Sequence, residues 1–483
     1  MKPLLSKHQL INKAYNPEDF RELGHQLIDL LANHLEDVQS SSEKPVLSYQ
    51  DPKKELQFWQ QHFNDNTDTK NLFKTIIEHS IHIQNPRYMG HQTATVAPIA
   101  SLAGLLSDFL NNGTGVYEMG PASNALEKLV TDIMAKYIGY ETSASGILTS
   151  GGTLANLTAL LAARKAKGHH DIWQKGYQKN KLAVIVSAES HYCIDRAARI
   201  MGFGDDGIIS VPVDEHYKID TSLLEQYYEE AISNGLEVIA VVGCACSTAT
   251  GSYDDLDFLA NFSKKHNLWF HVDGAHGGAA IFSNKYKNLV KGIQKADSVV
   301  IDFHKMLMTP ALTTALMFKE GKDVYKTFAQ KAEYLWDTPD TEEWFNSGKR
   351  TFECTKLMMS IKVYSIIKSY GIEIFEQNVN QLYDAAKDFS ELIKEDPNFE
   401  LLVVPESNIV NFRYSNPKTS IDINMVNTKI RQQLIEFGHF YIVQTSVKNQ
   451  KYLRCTIMNP LTNKHHFKAL LEEVKSIGSS LHN

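Results

Sequence analysis

Residues 268–305 read LWFHVDGAHGGAAIFSNKYKNLVKGIQKADSVVIDFHK. The stretch contains two short apolar runs, Leu268–Val272 and Ser298–Asp302, which are typical of strands covered on both faces. Asp273 follows the first run directly, and Lys305 stands just after the second. Ligands of open α/β sheets bind beyond the carboxyl ends of the strands. The spacing therefore predicts that an acid and an amine, one β-α-β step apart, converge on one ligand.

Apolar runs of the same kind recur on both sides of this stretch and alternate with helical patterns. The further strand-like runs are Leu182–Ser187, Ile208–Val213, Val238–Cys244 and Thr314–Phe318. The helical patterns are Ala122–Tyr137, Leu154–Lys165, Ile194–Met201, Ser222–Asn234 and Leu256–His266. This alternation predicts an α/β fold with a mainly parallel central sheet, in a large domain that we place at residues 96–345.

Two smaller segments flank the large domain. Residues 1–95 contain an amphipathic helical pattern over Pro17–Leu35 and too few apolar residues for a core of their own, so they are expected to form an N-terminal arm. Residues 346–483 are expected to form a small C-terminal α+β domain. Its helical patterns are Thr355–Tyr370, Ile374–Lys394, Met425–Phe437 and Phe467–Leu481, and its strand-like pieces are Ile409–Tyr414, Phe440–Gln444 and Tyr452–Ile457.

Composition limits the possible partners. The 483 residues include 49 basic and 56 acidic side chains, a net charge of −7, so there is no basic excess for binding nucleic acid. No run reaches the roughly 18 apolar residues that a spanning helix needs, and we expect a cytoplasmic protein without a membrane partner. The five cysteines are dispersed, which favours reduced thiols over disulfides or a metal site.

Asp273 and Lys305 are the residue types that pyridoxal 5'-phosphate (PLP) requires. PLP forms an imine with a lysine amine, and a carboxylate facing the ring nitrogen keeps the ring protonated and able to withdraw electrons. The phosphate needs hydrogen-bond donors, which Thr149–Thr153 (TSGGT) offers at the start of a predicted helix. His191, just after a strand-like run, is a candidate to cover the ring face.

Each of these signals alone has a more common structural interpretation. A lysine after an apolar run is usually a solvated loop residue, and an aspartate at a strand end is usually a helix cap. A lone histidine such as His191 or His304 is more often a hydrogen-bonded structural residue. The joint order and spacing of the signals is what favours a PLP site.

Taken in order, the motifs resemble the group II PLP-dependent amino-acid decarboxylases, the family that includes glutamate, aromatic amino-acid and 2,4-diaminobutyrate decarboxylases. The resemblance covers nearly the whole chain and implies fold type I, the aspartate-aminotransferase type. It further implies a homodimer whose N-terminal arm wraps over its mate. The motifs are Pro17–Gly24, Asn85–His91, Pro121–Glu127, TSGGT with Ala155–Leu157, His191-Tyr192, Thr248–Gly251, His271–Asp273, His304-Lys305, Leu453-Arg454 and Asn459–Thr462.

The resemblance also implies a role for each matching residue. Lys305 would be the Schiff-base lysine, Asp273 the partner of the ring nitrogen and His191 the stacking group. Ala275 would contact the opposite ring face, and Arg454 would bind the substrate α-carboxylate. The phosphate and the rest of the cofactor would be held by Gly151, Gly152, Thr153, Ser247, Asp302 and His304.

The chain departs from the family pattern at three places. Gly274–His276 stands where members commonly have Ala-Ala-Trp, and Asp302-Phe303 replaces a common Asn-Pro, so the phosphate shell is expected to differ. The loop between Tyr334 and Arg350 contains no tyrosine, although members usually use a loop tyrosine to protonate the α-carbon after carbon dioxide leaves. Tyr334, His191 or a tyrosine of a second subunit are the alternatives for that role.

The predicted reaction is decarboxylation of an L-amino acid to the amine and carbon dioxide. Side-chain recognition is expected near Tyr88 and His91. Asp302–Lys305 and Ala332–Leu335 resemble the diaminobutyrate branch slightly more than the aromatic one. A diamino acid such as L-2,4-diaminobutyrate is therefore the first candidate substrate, and aromatic and acidic amino acids are the alternatives.

Two other functions stay open. Relatives with phenylalanine in place of the loop tyrosine can give an aldehyde by reaction with oxygen, and Trp344-Phe345 keeps that outcome open here. A non-catalytic regulatory homologue is the other alternative. The presence of Lys305, Asp273 and Arg454 speaks against it.

Overall fold

The computed structural model describes residues 7–40, 44–65, 67–169, 172–177, 181–328, 343–415 and 422–481. The strands are β1 (Ser145–Thr149), β2 (Lys181–Ser187), β3 (Ile208–Val211), β4 (Leu236–Cys244), β5 (Trp269–Asp273), β6 (Ser298–Asp302), β7 (Thr314–Phe318), β8 (Phe399–Leu401), β9 (Ile409–Tyr414), β10 (Val443–Val447) and β11 (Gln450–Thr456).

The α-helices connect these strands and precede the first of them. They are α1 (Lys7–Ala14), α2 (Pro17–Ser40), α3 (Pro52–His62), α4 (Thr69–Glu78), α5 (Pro98–Leu110), α6 (Pro121–Ile138), α7 (Gly152–Lys167), α8 (Ile172–Lys175), α9 (Tyr192–Ile200), α10 (Leu224–Ser233), α11 (Leu256–Lys265), α12 (Gly321–Thr327), α13 (Met359–Tyr370), α14 (Glu373–Glu395), α15 (Ile423–Phe437) and α16 (Lys464–Ser480).

Seven strands form the central sheet of the large domain, in the order β1-β7-β6-β5-β4-β2-β3. Strands β2 to β6 run parallel to their neighbours among themselves, whereas β7 is antiparallel to both β1 and β6. All residues of β5 and β6 are buried, because elements packed on both faces cover the middle of the sheet. The mainly parallel sheet predicted from the alternating pattern is confirmed.

Some of the predicted strand limits agree with the structure and others do not. Ser298–Asp302 and Thr314–Phe318 are strands exactly as predicted, but the predicted end of Ile208–Val213 is wrong. The strand stops at Val211, where Pro212 follows and has no N–H to donate to a ladder. The strand pattern missed β1 because its five residues, SGILT, include a glycine and present only two strongly apolar side chains.

A second sheet lies in the C-terminal part of the chain and is entirely antiparallel, in the order β10-β11-β9-β8. Helices α14, α15 and α16 pack against it, which confirms a small α+β domain. The predicted strand Phe440–Gln444 is wrong, since the strand is Val443–Val447. Tyr441 instead forms a bridge with Tyr88, so the segment before β10 is tied to the end of the N-terminal region. The limits 1–95, 96–345 and 346–483 stay predictions.

Helix α2 contains the predicted N-terminal amphipathic pattern and continues beyond it to Ser40. Its apolar side chains Phe20, Ile28 and Leu31 are exposed, and the Phe20 ring lies 5.0 Å from that of Phe109 on α5. None of the helices in the described parts of the chain is long and apolar enough to cross a membrane.

Lys356 and Glu127 form a buried ion pair beside β1. Lys356 Nζ lies 2.6 Å from Glu127 Oε1 and also donates to the carbonyl of Leu148 on the first strand. Burial lowers the pKa of Lys356, and the Glu127 charge opposes that effect.

Lys356→Met should lower the free energy of unfolding by about 3–5 kcal/mol, because the Glu127 carboxylate is left buried without its counter-charge. Chemical denaturation of the wild-type and variant proteins measures this loss. Glu127 Oε1 also accepts a hydrogen bond from Leu148 N at 3.1 Å. Adding Glu127→Gln removes the uncompensated charge and keeps this acceptor, so the double variant should regain most of the stability. A double variant as unstable as the single one would contradict this account.

Candidate active site

A cavity of about 280 Å³ lies at the carboxyl ends of β4, β5 and β6 and at the start of α7. It brings together residues from five segments of the large domain that are far apart in sequence. They are Ser150, Gly151, Gly152, Thr153, Asn156, His191, Cys193, Cys244, Cys246, Ser247, Thr248, Asp273, Ala275, His276, Asp302, His304, Lys305 and Leu312. The predicted convergence of Asp273 and Lys305 on one cavity is therefore found.

Lys305 follows β6, and its amine lies near the carboxylates of Asp302 and Asp273. Its Nζ lies 3.1 Å from Asp302 Oδ2. Burial acts to lower the pKa of Lys305, but the charges of Asp302 and Asp273 outweigh it and hold the pKa above its usual value. Asp302 also accepts a hydrogen bond from Thr314 on β7 and lies 3.6 Å from His304 Nε2. The last residue of one buried strand thus fixes the amine that follows it.

Asp273 ends β5 and is almost wholly buried in the cavity wall. Its Oδ1 accepts a hydrogen bond from Ala275 N at 3.2 Å, which holds the turn that follows the strand. Ala275 O in turn accepts from Asp302 N at 3.0 Å, so the ends of β5 and β6 are joined directly. A buried carboxylate held at a fixed place suits a protonated ring nitrogen.

His191 caps the start of α9, and its ring is half-buried. Its Nδ1 accepts a hydrogen bond from Cys193 N at 3.3 Å, so the ring proton belongs on Nε2. Burial lowers the pKa of His191, although the charge of Asp273 opposes this. The imidazole is therefore a neutral flat group at the cavity, as a partner for an aromatic ring requires.

The predicted phosphate cradle lies where β1 turns into α7. Gly151 has φ +117° and Gly152 is the first residue of the helix, so backbone N–H groups of the turn are exposed to the cavity. A Cβ on Gly152 would lie 3.4 Å from the Asp302 carboxylate oxygens and 3.5 Å from Ala275 Cβ. Glycine thus keeps open the space that a cofactor would fill.

His304 and Ser247 complete this side of the cavity and are both buried. His304 Nδ1 lies 3.0 Å from the carbonyl oxygen of Thr313, and Ser247 Oγ lies 2.7 Å from Thr250 Oγ1. Both residues stand where the sequence predicted cofactor contacts. Their cofactor roles remain predictions.

Arg454 lies on β11 of the second sheet, outside the residues that line the cavity. It is 8% exposed, and within the described residues its Nε has no hydrogen-bond partner. Burial lowers the pKa of Arg454 to about 10, and its charge in turn lowers the pKa values of His276 and His91. A buried guanidinium with a spare donor, close to the cavity, is suited to an incoming carboxylate.

The two predicted substrate residues lie on the same side as Arg454. Tyr88 is buried and stacks on Tyr441 at 5.4 Å, and its hydroxyl accepts a hydrogen bond from His91 N at 3.3 Å. Burial raises the pKa of Tyr88 and lowers that of His91. Tyr334, the predicted alternative proton donor, lies outside the described residues.

A buried polar pair, Asn156 and His271, supports the cavity and had no role predicted from sequence. Asn156 Nδ2 donates to Cys193 Sγ, so its Oδ1 accepts from His271 Nε2 at 2.7 Å. His271 Nδ1 then accepts from Ser298 Oγ at 2.8 Å, and burial lowers the pKa of His271 to about 4. The available signal was a histidine inside an otherwise apolar strand, since buried polar groups need partners.

His276 is a second buried imidazole of the cavity, and from sequence it was a possible partner for an acidic substrate side chain. Its Nε2 lies 2.7 Å from Asn408 Oδ1, and Asn408 Nδ2 donates to the carbonyl of Ile457, so Nε2 carries the proton. Burial lowers the pKa of His276 to about 3. Its Nδ1 has no hydrogen-bond partner in the described structure. The pair joins the turn after β5 to the sheet that carries Arg454.

The residues fit PLP on observations of this chain alone. A buried amine next to two carboxylates, a neutral imidazole and a glycine-lined helix start share one cavity. Among the described residues, no group of three or more His, Cys, Asp or Glu side chains is placed to hold a metal ion. The five cysteines are free thiols.

Comparison with known proteins agrees with this chemistry. The model of the pyridoxal-dependent decarboxylase conserved domain matches residues 52–415. The chain is 27% identical to an aromatic-L-amino-acid decarboxylase of Bacillus atrophaeus, over 97% of this chain and 98% of that protein. It is 29% identical to an aspartate 1-decarboxylase of Aliivibrio fischeri, over 95% and 91% of the two chains.

A solved structure has the same fold over nearly its whole length. It is described as the glutamate decarboxylase domain of a diaminobutyrate-pyruvate transaminase and L-2,4-diaminobutyrate decarboxylase from Vibrio parahaemolyticus. The TM-score is 0.84 at 25% identity, covering 95% of this chain and 96% of that one. The predicted fold type I architecture is confirmed. The chain belongs to the pyridoxal-dependent decarboxylase family and is a PLP-dependent amino-acid decarboxylase.

Proposed function

We propose that the chain converts a diamino acid such as L-2,4-diaminobutyrate to the corresponding amine and carbon dioxide. The observation that carries the choice of substrate is the charge of the cavity wall. Among the described lining residues, Lys305 is the one lysine or arginine, and it is paired with Asp302. An acidic side chain would need a second cation there, whereas an ammonium or other hydrogen-bond donor would not.

The neutral imidazole of His276 supports the same choice. Because its Nε2 carries the proton, its Nδ1 is a hydrogen-bond acceptor, and a pKa of about 3 keeps it so at neutral pH. An acceptor favours a substrate that donates and disfavours a second carboxylate. Aromatic amino acids with a hydroxyl or indole N–H are the alternative substrates on this ground.

The position of each side chain indicates its role in the reaction. PLP supplies an electron sink for the electron pair that remains on the α-carbon when its bond to the carboxylate breaks. Asp273 would hold the proton on the ring nitrogen, and His191 would cover one ring face while Ala275 contacts the other. Arg454 would bind the α-carboxylate and fix the orientation of the bond to be broken.

A panel of L-amino acids in air tests this proposal. We expect carbon dioxide and amine in equal amounts, with the highest kcat/KM for a diamino acid and the lowest for aspartate and glutamate. Aldehyde and peroxide as main products would replace the proposal by oxidative decarboxylation. A preference for aspartate or glutamate would overturn the assignment of substrate and leave the decarboxylation itself intact.

Arg454→Met should raise KM by roughly 10- to 100-fold, because a charged hydrogen-bond donor to the substrate carboxylate is lost. Steady-state kinetics with the preferred substrate measures this change. Arg413→Met is the matched control, since Arg413 lies on neighbouring β9 and is paired with Glu400. Equal effects of the two substitutions would argue against a direct role for Arg454.

We also infer that the chain acts as a homodimer in the cytoplasm. Helix α5 exposes a row of apolar side chains, which are Leu102, Leu105, Leu106, Phe109 and Leu110. Such a patch is a common mark of a subunit interface. Free thiols are typical of a reducing compartment. Light scattering on the purified protein measures the assembly, and a monomeric mass would contradict the dimer.

A further inference from the structure

A glutamate lies beside the predicted phosphate cradle. Ser150 lines the cavity immediately before Gly151–Thr153, and its Oγ donates to Glu353 Oε1 at 2.6 Å. The other carboxylate oxygen of Glu353 is buried and has no hydrogen-bond partner within the described residues. The two residues are 203 positions apart, so the segment that precedes α13 lies against the start of α7.

Among the described residues, Glu353 forms no ion pair. The buried cation Lys356 is paired with Glu127 at 2.6 Å, and the buried guanidinium of Arg350 donates to one hydroxyl and two carbonyl oxygens. The carboxylate of Asp302 also lies close to the cradle, at Gly152. A phosphate carrying about two negative charges at pH 7 would therefore bind near two carboxylates.

Glu353 and a bound phosphate would also compete for the hydroxyl hydrogen of Ser150. A hydroxyl has one hydrogen to donate, so Ser150 can bond either to Glu353 or to a phosphate oxygen. The remaining donors of the turn are the backbone N–H groups at the start of α7 and the Thr153 hydroxyl. Occupation of Ser150 by Glu353 weakens the cradle beyond the effect of charge.

We propose that Glu353 sets the affinity of the chain for the phosphate group of PLP, by repelling that group and by holding the Ser150 hydroxyl away from it. The proposal rests on the phosphate cradle named above. Glu353 thereby limits how much PLP the chain binds when the PLP concentration is low. The expected specificity is for the phosphate rather than for the pyridine ring.

Glu353→Gln tests the proposal because it removes the charge and keeps both the shape and an acceptor for Ser150. The apoenzyme is titrated with PLP and with pyridoxal, and binding is followed by absorbance. PLP affinity should rise roughly tenfold, as expected for removing one charge near a dianion, and pyridoxal affinity should stay unchanged. Both ligands react with Lys305, so the covalent contribution cancels in their ratio.

Two controls separate the possible failures. Glu320→Gln removes a carboxylate at the start of α12 and should leave both affinities unchanged. Thr153→Val removes a cradle hydroxyl and should lower PLP affinity without affecting pyridoxal. If Thr153→Val leaves the ratio unchanged, the cradle itself is misassigned and the proposal on Glu353 fails with it.

The ratio of PLP affinity to pyridoxal affinity then decides whether the proposal on Glu353 holds. If the cradle holds and Glu353→Gln leaves the ratio of PLP to pyridoxal affinity unchanged or lowers it, the proposal is overturned. Inorganic phosphate gives an independent reading. Its direct binding to the apoenzyme, measured by calorimetry, should be roughly tenfold tighter in the variant, and equal dissociation constants for phosphate in both proteins would overturn the proposal as well.

Discussion

Lys305→Ala is expected to abolish decarboxylation, with a loss of roughly 10⁴-fold or more in kcat. The amine of Lys305 is the one lysine amine among the described residues of the cavity, and Asp302 holds it at 3.1 Å. Its removal takes away both the covalent attachment of PLP and the group that releases product. Carbon dioxide release with the preferred substrate measures the loss.

A second readout ties this loss to the cofactor rather than to the fold. Borohydride reduction should attach one PLP to the peptide that contains Lys305 in the wild type and none in the variant, as seen by mass spectrometry. Lys322→Ala is the control, because Lys322 is an exposed lysine at the start of α12. A labelled peptide elsewhere in the chain, or full activity of Lys305→Ala, would contradict the assignment.

The part of the site that could be predicted from sequence is the part set by strand ends. Apolar runs that end in Asp273 and in Asp302 predict parallel strands, and parallel strands bring their carboxyl ends to one edge. Lys305 and Asp273 therefore had to meet if the runs were neighbours, and β5 and β6 are paired. The turn before α7 was predictable for a different reason, because its two adjacent glycines indicate a close approach of the backbone to a ligand.

The contacts that could not be predicted join residues far apart in the chain. Ser150 and Glu353 are 203 positions apart, and His276 and Asn408 are 132 positions apart. No local sequence pattern predicts such a contact, because nothing in the sequence around either residue indicates which distant residue it will meet. Strand β1 was missed for a local reason, its few apolar side chains. The strand forms nevertheless, because all five of its residues pair with β7.

The imidazoles at the cavity also depended on the fold. His191, His271 and His276 have pKa values lowered mainly by burial, so all three are neutral at pH 7. Burial of this kind is a tertiary property, and the sequence only indicated that histidines are present. Their neutrality leaves Lys305 as the one cationic side chain among the described residues that line the cavity, and the charge of Arg454 reaches it from the second sheet.

Asp273→Asn is expected to lower kcat by roughly 10³-fold, because an amide cannot hold the proton on the ring nitrogen as a carboxylate does. KM should change little, since Asp273 does not lie at the predicted carboxylate site of Arg454. Asp297→Asn is the matched control. Asp297 is partly buried next to β6, but it lies at the opposite end of the strand and accepts a hydrogen bond from Phe270 N. Its substitution should leave kcat nearly unchanged.

A chemical rescue separates the charge of Asp273 from its packing. Asp273→Ala makes room for PLP methylated at the ring nitrogen, which carries a permanent positive charge and needs no carboxylate to keep it. The variant loaded with this analogue should recover activity relative to the same variant with PLP, whereas the wild type should lose activity with the analogue because the methyl group meets the carboxylate. If methylation brings no recovery in the variant, Asp273 acts by holding the turn to Ala275 rather than by controlling the ring proton.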